Sequence, residues 1–286
     1  MDISYGRHFI TTERDRGLPL HLGSVGLMTH QGTIYREHGY HAFHWLHTVG
    51  GVGEFTVNGT TVKLYPNQGI LLKPNVSHSY RAETSIWSTW FMTFDGALAN
   101  PITASLDLQH MQPLSWGSDS PLAAIHLQYD HKCNHSFDLA GVNGSLEVYA
   151  FLTLIKQFGQ AGNEPSLSEG HERLAPIYLL IEEAYGNPDL GLERMANTLR
   201  VSPQYLNSLF RKSWGISPYQ YLLQFRIQKS KDMLLSGRCP TVKEIAASVG
   251  FQSDSHFVHT FRRVTGMTPL QFRVQYGESP SQKGDA

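Results

Sequence analysis

The sequence predicts two structural classes in one chain: an all-β sandwich or barrel near the N-terminus and an all-α pair of helix-turn-helices at the C-terminus. Three observations carry this. A segment near the C-terminus repeats itself at a fixed offset of 51 residues. Residues 34–94 alternate short apolar runs with turn signals, the pattern of many short strands. The charge also divides. Residues 1–170 hold 9 Lys+Arg against 14 Asp+Glu and residues 171–286 hold 14 against 10, so a part of net −5 precedes a part of net +4. A length of 286 residues suits such a division.

Residues 1–30 are rich in Gly, Thr and His and read as an arm followed by a first strand, Leu22 to Met28. From Ile34 the strands are short. Phe43 to Val49 ends at Gly50-Gly51, and Gly53 to Val57 leads into Asn58-Gly59, a strong two-residue hairpin signal. Thr60 to Leu64 returns, Pro66 to Gly69 turns into Ile70-Leu71-Leu72, Lys73-Pro74-Asn75 turns into His78 to Tyr80, and Trp87 to Phe94 closes the set. Residues 98–160 are more helical. Ser145 to Phe158 carries apolar residues nearly all round, bounded by Gly144 and Gly159, so the helix needs cover on two sides. Residues 161–171 have linker composition, and a helix from Glu172 to Tyr185 opens the C-terminal domain.

Each repeat copy carries its own helix punctuation. Ser202-Pro203 is an N-cap with Pro at the first helical position, where the missing N–H costs nothing. Leu206, Leu209 and Phe210 then share one helical face, and Gly215 suits a left-handed helix end. Ser217-Pro218 starts the next helix. The second copy matches through Ser253, Phe257, Phe261, Gly266 and Thr268-Pro269. A short helix precedes each copy. Thr241 with Glu244 forms a capping-box pattern before the second, and Ala196 and Ala246 are small enough for close crossing. Their offset is 50, so the repeat slips by one residue in the inter-helix turn.

A recognition helix presents its N-terminal residues to base edges in the major groove. In the first copy the outward candidates are Gln204, Tyr205, Asn207, Ser208 and Arg211. Asn and Gln pair bidentately with adenine, and Ser bonds several bases. In the second copy they are Asp254, Ser255, His256 and His259. Arg211, Lys212, Arg262 and Arg263 suit phosphates, which position a protein without reading sequence. Two such units joined by one helix would reach successive major grooves, roughly 34 Å apart.

Both units and the linking helix Tyr221 to Leu235 resemble the DNA-binding domain of AraC/XylS-family transcription regulators. The likeness is strongest through Ile245-Ala246, Val249-Gly250-Phe251, Phe257, Phe261 and Gly266-Met267-Thr268-Pro269, and covers residues 173 to 276. It implies a cupin-like jelly-roll sensor at residues 1–97, a helical dimerisation segment at 98–160, and base contacts from Gln204, Asn207 and Ser208. The partners it implies are a double-stranded DNA operator, a small-molecule effector, a second copy of the chain and RNA polymerase. The ligand-binding candidates are Tyr35, Arg36, Tyr80, Trp87, Thr89, Trp90 and Phe91, since aromatic faces stack on sugars while Arg and Tyr bond hydroxyls. Arg36 and Tyr80 resemble sugar contacts of the arabinose-responsive member. Thr89 departs from the His found there, and Phe91 or Trp90 stands in for its Trp.

No signal peptide or membrane span is expected, which suits a cytoplasmic protein. Cys133 and Cys239 lack a CxxC partner, and no cofactor motif is present. Among 15 His, His38, His41, His44 and His47 recur every third position and cannot share one strand face. His44 with His78 is the one pair to weigh for a metal, and no metal or catalytic residue is expected. Two rival readings are a cupin-type metal enzyme with a DNA-binding tail and a ligand-independent dimeric DNA-binding protein. Residues 1 to about 12 are the candidate mobile element, and residues 277–286 are expected to be a disordered tail.

Overall fold

A computed structural model describes residues 5–134, 139–162, 164–236 and 240–277. The chain divides into two units, residues 1–169 and 170–286.

The first unit is built on two facing antiparallel sheets. Its strands are β1 (Tyr5–His8), β2 (His21–Met28), β3 (Ile34–Arg36), β4 (Phe43–Gly50), β5 (Gly53–Val57), β6 (Thr60–Leu64), β7 (Gln68–Leu72), β8 (His78–Ala82), β9 (Ser88–Asp95), β10 (Leu114–Ser115) and β11 (Gln160–Ala161). One sheet has the order β1-β2-β9-β4-β7-β10-β11, the other β3-β8-β5-β6. Helices α1 (Glu13–Arg16), α2 (Ala99–Ser105), α3 (Ile125–Asn134) and α4 (Gly141–Phe158) complete the unit.

The seven-stranded sheet is covered on both faces, which is why β4 is apolar and aromatic almost throughout. Phe43 and Trp45 pack with Trp90, Met92, Phe94 and α4 residues Val148, Phe151, Leu152 and Ile155. Leu46 instead joins Phe55, Leu64, Ile70, Tyr80 and Trp87 between the sheets. The period-two alternation of strand side chains thus sends His44 to the interior of the sandwich and His47 toward Trp90, Trp116 and His126.

Three expectations change here. The arm is a sheet strand from Tyr5 to His8, with Tyr5 opposite Leu27 and His8 opposite Ser24. Its anchor is Tyr5, whose hydroxyl accepts from Trp90 Nε1 at 3.0 Å and donates to the His126 carbonyl at 2.8 Å. Residues 1–4 of that arm lie outside the described residues. The helix expected from Ser145 begins at Gly141, so Gly144 lies within its first turn. A Cβ there would fall 2.1 Å from the Leu139 carbonyl oxygen, so glycine lets the chain entering α4 fold tightly against its first turn, while Leu22 of β2 lies at ordinary contact distance. The linker is shorter than 161–171, because α5 (Leu167–Ala184) starts five residues before the expected Glu172.

The second unit contains most of α5 and then α6 (Leu192–Leu199), α7 (Pro203–Trp214), α8 (Pro218–Leu235), α9 (Val242–Ser248), α10 (Asp254–Thr265) and α11 (Pro269–Tyr276). It has two small cores. One gathers Leu174, Ile177, Ile181, Met195, Leu206, Leu209, Phe210 and Leu222. The other gathers Leu223, Ile227, Leu234, Ile245, Val249, Phe257 and Phe261. Neighbouring turns of α8 therefore serve both. Cys239 and the tail from residue 278 lie outside the described residues.

Candidate nucleic-acid interface and ligand cavity

The two helix pairs α6–α7 and α9–α10 are closed by the same local chemistry. Arg200 (φ 55°) and Gly250 (φ 84°) both end the first helix in the left-handed region. In both turns the next residue bonds back to the small alanine: Val201 N–H to the Ala196 carbonyl at 3.1 Å, and Phe251 N–H to the Ala246 carbonyl at 2.9 Å. Ser202 and Ser253 then cap α7 and α10, accepting from the N–H of Tyr205 and His256. One residue separates Arg200 from Ser202, and two separate Gly250 from Ser253. The one-residue slip of the repeat is therefore Gln252. Gly215 and Gly266 end the second helices in the left-handed region, and capping boxes at Ser217/Gln220 and Thr268/Gln271 start α8 and α11.

Leu206, Leu209 and Phe210 anchor α7, and Phe257, Thr260 and Phe261 anchor α10. This burial fixes which residues remain outside. Gln204, Tyr205, Ser208, Arg211 and Lys212 are exposed on α7, while Asn207 is half-buried. Asp254, Ser255, His256, His259, Arg262 and Arg263 are exposed on α10. Tyr205 is partly engaged, its hydroxyl accepting from Arg173 Nη1 at 3.3 Å, and His256 lies edge-on to Phe251 at 5.3 Å. Sequence reasoning passed over Arg226. This buried α8 side chain donates from Nε to the Tyr185 carbonyl at 2.8 Å and from Nη2 to the Asn187 carbonyl at 2.7 Å, tying α8 to the loop before α6. Its guanidinium also lies over Phe251.

In the first unit, a cavity of about 230 Å³ opens between the sheets, lined by His8, Ser24, Met28, Gln31, Ile34, Arg36, Tyr40, His44, Leu46, Tyr80, Phe91 and Thr93. Arg36 is its only permanently charged group. Sheet register brings it there, because Arg36 pairs with His78 across β3–β8. Its Nη1 lies 3.2 Å from His44 Nδ1 and 3.4 Å from His78 Nε2, and its guanidinium stacks over the Tyr40 ring at 4.8 Å. His78 Nδ1 lies 2.7 Å from the Val76 carbonyl and donates to it, which leaves Nε2 as the acceptor for Arg36. Burial, then the charge of Arg36, push His44 down to about 3. Burial is also the main cause that lowers His78. Both rings are therefore neutral at pH 7, and the pair weighed for a metal offers its lone pairs to a guanidinium.

The expected ligand residues separate. Arg36, Tyr80 and Phe91 line the cavity. Thr89 shares the Phe91 face of β9 and donates to Gln31 Oε1 at 2.7 Å. Tyr35 lies on the outer face of β3 and is 74% exposed. Trp90 is on the opposite face of β9, packed against Tyr129 and Phe151. Trp87 is buried among the interior side chains, its Nε1 donating to Thr48 Oγ1 at 3.0 Å and its ring against Gly53. Tyr35, Trp87 and Trp90 thus do not line the cavity, because strand alternation and depth place them elsewhere. His8, Ser24, Gln31, Tyr40, His44 and Thr93 were missed as wall residues. Register places Thr93 opposite both His44 and Ser24, so alternation from Phe91 would have found it.

A model of the AraC-like ligand-binding domain matches residues 22–130, and a helix-turn-helix domain model matches residues 195–282. The chain belongs to the AraC family of transcriptional regulators. It is similar to the Msm operon regulatory protein of Streptococcus mutans, 29% identical over 230 residues, 79% of this chain and 81% of that protein. It is also similar to the uncharacterized HTH-type transcriptional regulator YobQ of Bacillus subtilis, 24% identical over 84% of this chain and 89% of the other. Among solved structures, the C-terminal domain of AraT, a response regulator from Geobacillus stearothermophilus, is 32% identical over 40% of this chain and 96% of that chain, with a TM-score of 0.36. The AraC-type domain makes DNA a partner, and the ligand-binding domain implies a small-molecule effector. Among the described residues, no helix is long and apolar enough to cross a membrane.

Proposed function

We propose that this AraC-family regulator is controlled by a carbohydrate-type effector held in the cavity beside Arg36, and that it reads two adjacent major grooves through α7 and α10. One observation carries the reading: two equivalent helix starts, capped alike, present polar side chains outward above separate buried cores. Gln204, Asn207 and Ser208 on α7, and Asp254, Ser255, His256 and His259 on α10, are the base-facing set. Arg211, Lys212, Arg262 and Arg263 take phosphates. Tyr205 supports the α7 start through Arg173.

The outer face of α4 supports a homodimer. Val142 and Leu146 are each 64% exposed and Tyr149 is half-exposed, at helical spacing opposite the buried Val148, Phe151, Leu152 and Ile155. Activation of a carbohydrate-utilisation operon through RNA polymerase is the proposed outcome, in line with a relative that bears an operon regulator's name. Thermal shift of the full chain against a sugar panel, paired with DNA-binding titrations, tests the sensor role. Compounds that raise the melting temperature should also change DNA affinity. An effect on neither by every sugar would defeat it.

A further inference from the structure

The charge inventory of the cavity is one-sided. Its wall carries no Asp or Glu, and among the described residues no carboxylate pairs with Arg36. Several of the acceptors that could hold sugar hydroxyls are already engaged, which leaves His8 and the Tyr40 and Tyr80 hydroxyls for them. His44 Nδ1 and His78 Nε2 accept from Arg36, and Gln31 Oε1 accepts from Thr89. Ser24 and Thr93 bond each other at 2.7 Å. Donors remain. Accepting at Nδ1 leaves the proton of neutral His44 on Nε2. Arg36 spends Nη1 on the two imidazoles, while its Nε and Nη2 make no hydrogen bond among the described residues. Those two N–H groups form the edge of the guanidinium that engages a carboxylate or phosphate bidentately. A neutral sugar would leave this cation uncompensated in a partly buried site. A volume of about 230 Å³ also limits the ligand to a small molecule, below the usual range of about 300–1,000 Å³ for drug-sized ligands.

We propose that the effector is an acidic sugar derivative whose single oxyanion group takes the free edge of Arg36. This rests on the reading of the cavity as the effector site. The two imidazoles and the Tyr40 ring hold the guanidinium in place without neutralising it, so the charge is kept for the ligand. Recognition then divides: Arg36 supplies the charge contact, Tyr80 and Phe91 cover the apolar face, and the remaining donors read hydroxyls.

The test is calorimetry and thermal shift of the full chain with matched pairs: D-galacturonate against D-galactose, D-gluconate against D-glucose, and D-glucose 6-phosphate as the phosphate arm. The acidic member of at least one pair should bind at least ten-fold more tightly than its neutral partner. Arg36→Met should remove that preference while the ligand-free chain still melts in one cooperative transition, and Arg36→Lys should keep part of it. The galacturonate and phosphate arms tell a carboxylate from a phosphate effector. Ile34→Trp, which fills the cavity from the edge strand, should abolish binding. If neutral members bind as tightly as acids, Arg36→Met changes nothing and Ile34→Trp still blocks binding, the oxyanion inference falls and the effector cavity stands. If acid binding survives Ile34→Trp, or no compound binds at all, both fall.

Discussion

Gly250→Ala offers a quantitative test of the duplicated turn, because the structure supplies its own control at Arg200. Gly250 holds φ at +84°, where a Cβ costs about 1–2 kcal/mol. The added Cβ would also lie 2.5 Å from the Tyr185 carbonyl oxygen and 2.8 Å from Arg226 Nη2. Neither neighbour can give freely, since Arg226 is buried and bonded to the Tyr185 and Asn187 carbonyls. Displacing it leaves buried donors and acceptors unpaired, a further cost of about 1–3 kcal/mol. The expected loss is therefore about 2–5 kcal/mol. Arg200 occupies the equivalent turn at φ +55° and is exposed. Arg200→Gly relieves about 1–2 kcal/mol of backbone strain and gives back about 0.5–1 kcal/mol in chain entropy, so the net gain is up to about 1.5 kcal/mol. Hydrogen exchange of the full chain, read separately over α6–α7 and α9–α10, measures both. A Gly250→Ala cost under about 0.5 kcal/mol, or equal destabilisation by both variants, would refute the role given to the Arg226 knot and the left-handed turn.

Three further outcomes are expected. Asn207→Ala should weaken specific DNA binding by about 1–3 kcal/mol while leaving random-sequence binding intact, whereas Arg262→Ala should weaken both and reduce the salt slope by about 1 in filter-binding titrations. His44 and His47 are each pushed down to about 3, mainly by burial. Both are thus neutral when folded, while the unfolded chain takes up protons below about 6.5. Stability of the first unit should be full above about pH 6.5 and fall on acidification by up to about 1.4 kcal/mol per pH unit for each ring, a slope that His47→Gln should reduce in urea titrations at pH 5 and 7. Leu146→Asp on the outer face of α4 should leave the fold intact and halve the mass seen by light scattering; an unchanged mass would remove α4 from the dimer interface.

The second unit was legible because helix punctuation is local chemistry. Ser202-Pro203, Gly215, Thr241 with Glu244 and Thr268-Pro269 each act within a few residues, and each marks a boundary in the structure. Strand bounds were legible for the same reason, through Asn58-Gly59 and neighbouring turns. The cavity was not, because its wall is set by pairing between distant strands. Alternation tells that Trp90 and Phe91 face opposite ways, but not which way is inward when the sheet is covered on both sides. The partnership of Arg36 with His44 and His78 depends on cross-strand register and the facing of two sheets. The seating of Tyr5 between Trp90 and α3 is likewise nonlocal, so a four-residue strand read as a loose arm.

Hydroxyl-radical footprinting on a selected operator tests the central account most directly. One chain should protect two patches about one helical turn apart on one face of the duplex. Asn207→Ala should then weaken one patch, and His256→Ala with Asp254→Ala the other. A single patch lost equally with either set of substitutions would contradict the reading of α7 and α10 as two separate groove readers.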